Sequence, residues 1–513
     1  MKILSGSTFA IAAKILLLTI SLSILGTLSI SAFAQGEVAI AAFLVIIMGA
    51  LAVTYLTKFS IPMKFFLPGM IFLSAFVVVP VLYTIAMSGF QYQTGNYISK
   101  PESIERVSAL GIAQDENGTT FDIRIGKSPE GELQVLASDT LTGTFFISTP
   151  TEKFGLQASE LKINEDGVAE EAPGFNELVG ADLSALDKKL TSFKFFYSTD
   201  YFLVLEGFDV ASLYTQALVY DEATDTFNNV QTGVAYTDNG RGNYADAANP
   251  EDKLSPGWRS VVWFENYVNL FTDPKVSGPL FSVFVWTMFF ATFTVITQFA
   301  LGLLLALALD KKIRGRRFYR IVSILPYAMP SIMSILIWGG MFDSEFGAIN
   351  TLLGTQIAWF QDPNFARAAV LVVNLWLGFP YFYLVSSGSL QAIPTELAEA
   401  ASIDGANARQ IFGRITLPLL LKILTPLLIS SFAFNFNNFN LIFLLTGGGP
   451  RNDLDGEIAG ATDILISYTY KIAFGSDVQN LGLASAISVV IFVLVASISL
   501  YGVRKSKVLD DFV

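Results

Sequence analysis

EAASIDGANARQIFGRITLP, residues 399–418, is a polar stretch punctuated by alanine and glycine, set between two long apolar runs, 368–390 and 417–445. Each run reaches the about 20 apolar residues that a helix needs to cross a bilayer. Carboxylates such as Glu399 and Asp404 are costly in hydrocarbon, so this stretch is a loop outside it. A polar loop between two spans could by itself belong to many membrane proteins, and the rest of the chain narrows the choice.

The composition is that of a membrane protein. Of 513 residues, 52% are apolar and 15% charged, with a mean hydropathy of +0.52, whereas a soluble domain carries about a quarter charged residues. The chain has neither cysteine nor histidine. That excludes disulfides, Cys/His zinc sites, cysteine nucleophiles and histidine acid–base catalysis. No catalytic residue, metal or nucleic acid is expected, and no cofactor on this chain.

Apolar runs at 11–33, 37–57, 66–89, 279–308, 318–342, 368–390, 417–445 and 480–503 predict eight spanning helices. The loop from Asp310 to Arg320 holds Lys311, Lys312, Arg314, Arg316, Arg317 and Arg320. Lys58 and Lys64 follow the second span, and Arg504, Lys505 and Lys507 the eighth. All three groups share one side if both termini are cytoplasmic, and the opposite loop 343–366 has no Lys or Arg. The first span also reads as a signal peptide, with Lys2, Lys14 and a small-x-small site at Ala32-Phe33-Ala34. Its length exceeds the about 7–15 residues of a signal core, so a retained helix is expected.

Segment 91–275 is of another kind. It holds 29 Asp and Glu against 13 Lys and Arg, a net of −16, which leaves +4 on the remainder of a chain of −12. Strand-like alternation at Thr120–Ile125 and Gly143–Ser148, an apolar–aromatic stretch at 193–206, and turn clusters at Asn117-Gly118 and Asp238-Asn239-Gly240 predict a mostly β domain with some helix. The topology places it outside. It is either a solvated spacer or a platform for a soluble partner, and its size favours the platform. The expected organisation is three helices over 1–90, the insert over 91–275, and a helical core over 276–513 that contains the loop 391–418.

Two spans carry polar faces. In the seventh, at about 100° per residue, Ser431, Phe434, Asn435 and Asn438 fall within about a 100° arc, while Asn437 and Asn440 point away. Hydroxyl, aromatic ring and amides together suit a sugar, whose hydroxyls need polar partners and whose C–H faces stack on rings. Asparagines also bond membrane helices together. We read the Ser431 face as substrate contact and Asn437 and Asn440 as interhelical bonds. In the sixth span Asn374, Leu377, Gly378 and Tyr381 share a face where Pro380 removes a backbone bond. That is either a break lining a cavity or a packed kink. Pro326 and Pro330 in the fifth span are likewise kink or gate, with Tyr327 and Ser331 as weaker candidates.

Glu399-Ala400-Ala401, with Gly405 six residues after the glutamate and Ile415-x-Leu417-Pro418 beyond, resembles the EAA signature of ABC-importer permeases. The resemblance implies a cytoplasmic helix-turn-helix that docks into a cleft on an ATPase subunit, with Glu399, Ala400, Ala401, Asp404 and Gly405 at the interface. KLSPGW at 253–258, FVWT at 284–287, ILPYAMPS at 324–331, WLGFPY at 376–381, ITLPLL at 415–420, SFAFNFNNF at 431–439 and GGP at 448–450 narrow it further. These look like the larger permease subunits of maltose/maltodextrin ABC importers, most densely from about 250 onward. The resemblance implies the type I importer permease fold in a bacterial inner membrane and a sugar site at Leu377, Gly378, Tyr381, Ser431, Phe434, Asn435 and Asn438. It also implies a second, smaller permease, two copies of a cytoplasmic ATPase that uses the ATP, a periplasmic sugar-binding protein, and membrane lipid around the spans. The first hundred residues and TGGGP at 446–450 depart from the pattern.

The chain lacks an ATP site of its own. The Gly-Lys-Ser at Gly126–Ser128 has Phe121 where a P-loop needs its first glycine. Within this family another oligosaccharide or a polyol is the alternative substrate. A channel or secondary transporter is the alternative class, but it predicts intramembrane carboxylates, and none lies centrally in spans four to eight. A membrane-anchored sensor would need a signalling module, which the tail after 503 is too short to hold.

Overall fold

Long runs of Leu, Ile, Val, Phe and Ala satisfy their backbone groups within one helix, the arrangement a bilayer demands. The computed structural model describes residues 8–35, 37–57, 61–184, 193–311, 313–451, 458–475 and 479–505. Of the basic residues used to orient the chain, Lys2, Lys58, Lys312 and Lys507 lie outside the described residues. By compactness the chain divides into Met1–Ser88 with Ser488–Val490, and Gly89–Ile487 with Ile491–Val513.

The first unit contains α1 (Thr8–Ala34), α2 (Val38–Leu56), α3 (Ile61–Leu73) and α4 (Val79–Met87). A π-helical turn, Ser74–Val78, joins α3 to α4 into one span, Ile61–Met87. Pro80 lies just after that turn, and a wider turn accommodates its missing N–H.

In the second unit the strands Phe90–Gln91 and Ser260–Val261 pair as the neck of the insert. Above the neck stand α5 (Lys100–Leu110), the short α6 (Ala181–Ser184) and two main sheets. The larger, nine-stranded sheet runs antiparallel through Lys194–Phe196, Phe202–Leu205, Val210–Gln216, Thr120–Lys127, Leu133–Asp139, Thr144–Ser148 and Lys153–Leu156. It curls back on itself: Phe196 N–H donates to Thr149 O at 2.9 Å, and Ser148 Oγ to Phe196 O at 2.7 Å. Phe121, Ile123 and Ile125, at the period of two, face a core shared with Val135, Phe146 and Phe195. Gly126 of the Gly-Lys-Ser is a strand residue whose missing side chain admits the Phe175 ring. A four-stranded sheet over 218–246 packs Phe227, Tyr236 and Tyr244 against Val107 of α5 and Trp258. The insert is thus mostly β with some helix, as its alternation predicted.

The helical core follows: α7 (Glu265–Thr272), α8 (Pro274–Asp310), α9 (Arg316–Ala328), α10 (Ser331–Met341), α11 (Ala348–Leu353) and α12 (Pro363–Gln391). Then come α13 (Thr395–Ile403), α14 (Ala408–Ile411), α15 (Leu417–Phe436), α16 (Phe439–Leu445), α17 (Leu465–Tyr470) and α18 (Leu481–Lys505). Among the described residues seven helices are long and apolar enough to span, or eight if the pair α9 and α10 counts as one.

Three spans settle where the polar helices bend or break. The fifth is bent by 96° between α9 and α10. Met329, forced out of the helical region by Pro330, adopts φ −86° and ψ 140°. The sixth, α12, runs unbroken through Pro380, so of the two readings there, break or packed kink, the break is absent. The break is in the seventh, where Asn437 (φ −111°, ψ 23°) and Asn438 (φ −77°, ψ 67°) separate α15 from α16. Asn438 ends one helix to begin the next: its Oδ1 accepts the Leu441 N–H at 3.4 Å.

Candidate functional site: a docking turn and a buried amide cluster

The loop that decides the fold folds as a helical hairpin. α13 ends at Asp404, and Gly405 turns the chain at φ +81°, a conformation that favours glycine. Asn407 caps α14 in a reciprocal box with Gln410, at 3.0 and 2.8 Å. Glu399, Ala400, Asp404 and Gly405 are exposed, Ala401 is half-buried, and among the described residues neither carboxylate has an ion-pair partner. Ile403, which the sequence did not single out, is 87% exposed.

A π turn, Phe412–Thr416, makes α14 and α15 one continuous span, Ala408–Phe436. The far end of that lever carries Ser431, Phe434 and Asn435. The second arm of the hairpin and the polar face are therefore the two ends of one continuous helical span.

At the polar face, tertiary structure redistributes the asparagines. Asn374 on α12 is 3% exposed, and its Nδ2 donates to Asn435 Oδ1 at 2.8 Å. Its Oδ1 accepts from Asn438 Nδ2 at 3.5 Å, a long bond. Asn435 Nδ2 in turn donates to Ser431 O at 2.8 Å. Thus Asn435 and Asn438 make the interhelical bonds expected of Asn437 and Asn440. Those two are exposed, and Asn437 bonds only its own helix, Nδ2 to Ala433 O at 3.2 Å. The break at 437 takes Asn438 and Asn440 off the wheel, while Asn435 is claimed by Asn374 through packing that a wheel does not show.

Two partners come from α8, where the sequence reading named no polar residue. Thr294 Oγ1 lies 3.4 Å from Asn374 Nδ2, and Gln298 Nε2 donates to the Asn374 backbone carbonyl at 2.6 Å. The signal was there: Thr287, Thr294, Gln298 and Gly302 share about an 80° arc of an otherwise apolar helix. Glycines let α8 and α12 approach. A Cβ on Gly302 would strike the backbone of Phe382 and Tyr383, and one on Gly378 the Gln298 amide.

The other candidates stand apart from the cluster. Leu377 packs on the Trp286–Phe290–Val370 core, and the Tyr381 ring meets Phe382 edge-on at 5.3 Å. Phe434 is 69% exposed. The hydroxyls of Tyr381 and Ser431 take no hydrogen bond among the described residues. Tyr327 is exposed on α9.

The N-terminal parts of α8 and α12 hold a second polar group. Arg367 lies 4.9 Å over the Trp286 ring and donates to Ala461 O at 2.8 Å. Asp463, fully buried, takes Lys471 Nζ at 2.6 Å, Ser467 Oγ at 2.8 Å and Gly460 N–H at 2.7 Å. Burial pushes its carboxyl up, against the pull of Lys471. A cavity of about 720 Å³ opens here, lined by Trp286, Arg367 and Asp463, but not by the asparagine cluster.

A family profile described as "Binding-protein-dependent transport system inner membrane component" matches residues 298–506, from Gln298 through the hairpin to α18. The maltose/maltodextrin transport system permease protein MalF of Salmonella typhimurium is 37% identical over 511 residues, covering 95% of each chain. The chain belongs to the MalF family. MalF of Escherichia coli K12 is 35% identical over 95% of each chain, and that of Vibrio vulnificus YJ016 35% over 94% of this chain and 92% of its own. Among solved structures, a bacterial ABC transporter involved in import of the acidic polysaccharide alginate aligns at a TM-score of 0.41 and 20% identity, covering 48% of this chain and 83% of that one. The MetNI methionine ABC transporter aligns at 0.29 and 21%, covering 44% and 93%. This MalF-family chain is a multi-pass membrane permease whose matches reach across the insert as well as the core.

Proposed function

We propose that this chain is the larger permease subunit of an ATP-driven maltose/maltodextrin importer, working by alternating access with both termini in the cytoplasm. The observation that carries the mechanism is the continuity of Ala408–Phe436. The second arm of a hairpin whose carboxylates Glu399 and Asp404 have no ion-pair partner among the described residues is continuous with a helix bearing hydroxyl, ring and amide. Closure of an ATPase on α13 and α14 then moves the Ser431 face relative to Asn374 and Gln298. The sugar contacts are Leu377, Gly378, Tyr381, Ser431, Phe434, Asn435 and Asn438. Tyr381, Ser431 and Phe434 are open to a ligand as they stand, while Asn435 and Asn438 must exchange bonds with Asn374. The partners are a smaller permease, two ATPase copies that hold the ATP, and a periplasmic sugar-binding protein that meets the insert. No cofactor resides on this chain.

Vesicles holding this chain, its partner permease, the ATPase and the binding protein test the substrate. Maltose and maltodextrins are expected to stimulate ATP hydrolysis. Stimulation by a different oligosaccharide or a polyol, with none by maltose, would reassign the substrate and keep the transport class.

Coupling is tested at the hairpin. Glu399→Lys reverses one of the two exposed, unpaired carboxylates beside Ile403. Since the residue lies outside the hydrocarbon, membrane insertion should be unchanged, while ATPase co-purification falls several-fold. Normal co-purification together with normal transport would remove Glu399 from the interface.

A further inference from the structure

Gln298 is 4% exposed, yet its amide is only half used. Nε2 donates to Asn374 O at 2.6 Å, and among the described residues Oε1 accepts no hydrogen bond. The bond it makes is also an expendable one. Asn374 O is already the i−4 acceptor for Gly378 N–H within unbroken α12, so Gln298 occupies a second lone pair on the same oxygen. Leucine or methionine would fill this place between two helices without an amide oxygen that no donor of the described residues meets. Packing alone therefore does not account for an amide here.

Its position supplies the rest. The amide lies flush on Gly378, where any added side chain would overlap Nε2, Cδ and Oε1 together. Gly378 is next to Leu377 and three residues from Tyr381, on the α12 face assigned above to the sugar. A carboxamide presents a donor and an acceptor side by side, which matches two vicinal hydroxyls of a pyranose.

We propose that Gln298 is a sugar-contacting, specificity-determining residue on α8, a helix to which no sugar contact has been assigned. Its amide covers Gly378 when the site is empty. On entry of a pyranose it leaves Gly378 and the Asn374 carbonyl, donates Nε2–H to one hydroxyl and accepts the O–H of its neighbour at Oε1. The Asn374 carbonyl keeps its helical bond from Gly378 N–H throughout, while Asn435 exchanges its bond with Asn374 as described above. The proposal rests on the reading of Gly378, Ser431 and Asn435 as a sugar site.

The test is uptake of radiolabelled maltose and maltotriose into proteoliposomes holding the full importer. Gln298→Leu keeps the bulk and removes both polar atoms. Its KM is expected to rise about tenfold, with maximal rate, basal ATPase and complex yield within twofold of the parent. If the leucine variant does not assemble, Gln298→Met carries the same expectation with a more adaptable side chain. An unchanged KM, or a loss of uptake that only follows complex yield, would make Gln298 a helix-packing residue and overturn the proposal. Asn435→Ala separates this from failure of the site itself. If that variant loses uptake per complex while Gln298→Leu does not, the site stands and the Gln298 contact falls. If Asn435→Ala is parental, both fall.

Discussion

Lys471→Ala should destabilise the protein by about 3–5 kcal/mol, the usual cost of stranding one member of a buried ion pair. Asp463 is fully buried, and the Lys471 side chain is 15% exposed at 2.6 Å. Without the lysine, Ser467 and the Gly460 N–H are the partners left on the carboxylate among the described residues. The pH dependence has a definite sign. Burial already raises the Asp463 carboxyl, and removing Lys471 takes away the largest opposing influence. An acid raised in the folded state contributes its stability below its unfolded pKa and loses it as pH rises through the folded one. The defect of Lys471→Ala should therefore be greatest near neutrality and shrink on acidification, as Asp463 takes a proton. Asp463→Asn combined with Lys471→Met removes both charges and should recover most of the loss. The check is the thermal midpoint of the detergent-extracted complex across pH. A Lys471→Ala midpoint equal to the parent's would show that the pair does not hold the 446–471 loop together.

The second large effect is expected at the asparagines. Asn435→Ala removes the 2.8 Å acceptor of Asn374 Nδ2, leaving only Thr294 at 3.4 Å. Hydrogen bonds between membrane helices contribute about 0.6 kcal/mol each on average, so helix association should weaken only modestly. Loss of a sugar partner is heavier, about 1–3 kcal/mol for an unpaired buried group. Transport at limiting sugar should fall about tenfold or more for Asn435→Ala and Asn438→Ala, with basal ATPase retained. Asn437→Ala and Asn440→Ala change exposed side chains, and should stay within about 0.5 kcal/mol of the parent. The measurement is transport per assembled complex for all four. Losses in Asn435→Ala and Asn438→Ala that track complex yield alone would leave these amides as interhelical bonds and nothing more.

The departure TGGGP also acquires a reason. Gly448, at φ +82°, has Asp463 and Lys471 packed where a side chain would stand, so the second glycine of that run makes room for the ion pair. No local pattern announces this, because Asp463 looks like an ordinary loop aspartate until the chain returns over it.

The division between sequence and tertiary structure follows from range. Hydropathy, period and motif spacing act over one or two helical turns. They sufficed for the apolar spans, the β-rich insert, the hairpin around Gly405 and the choice of α12 and α15 as the polar helices. Pro330 even marked the place of the 96° bend, though not its size. Partner choice among amides is decided elsewhere. Asn374 meets Asn435 across 61 positions and Gln298 across 76, on helices brought together by Gly302 and Gly378. A one-dimensional wheel cannot see that contact, nor the break at Asn437 that frees Asn438 to cap α16. The polar residues of α12 and α15 were therefore legible in the sequence, whereas Gln298 of α8, and which of these amides are already bonded to one another, were settled only by packing.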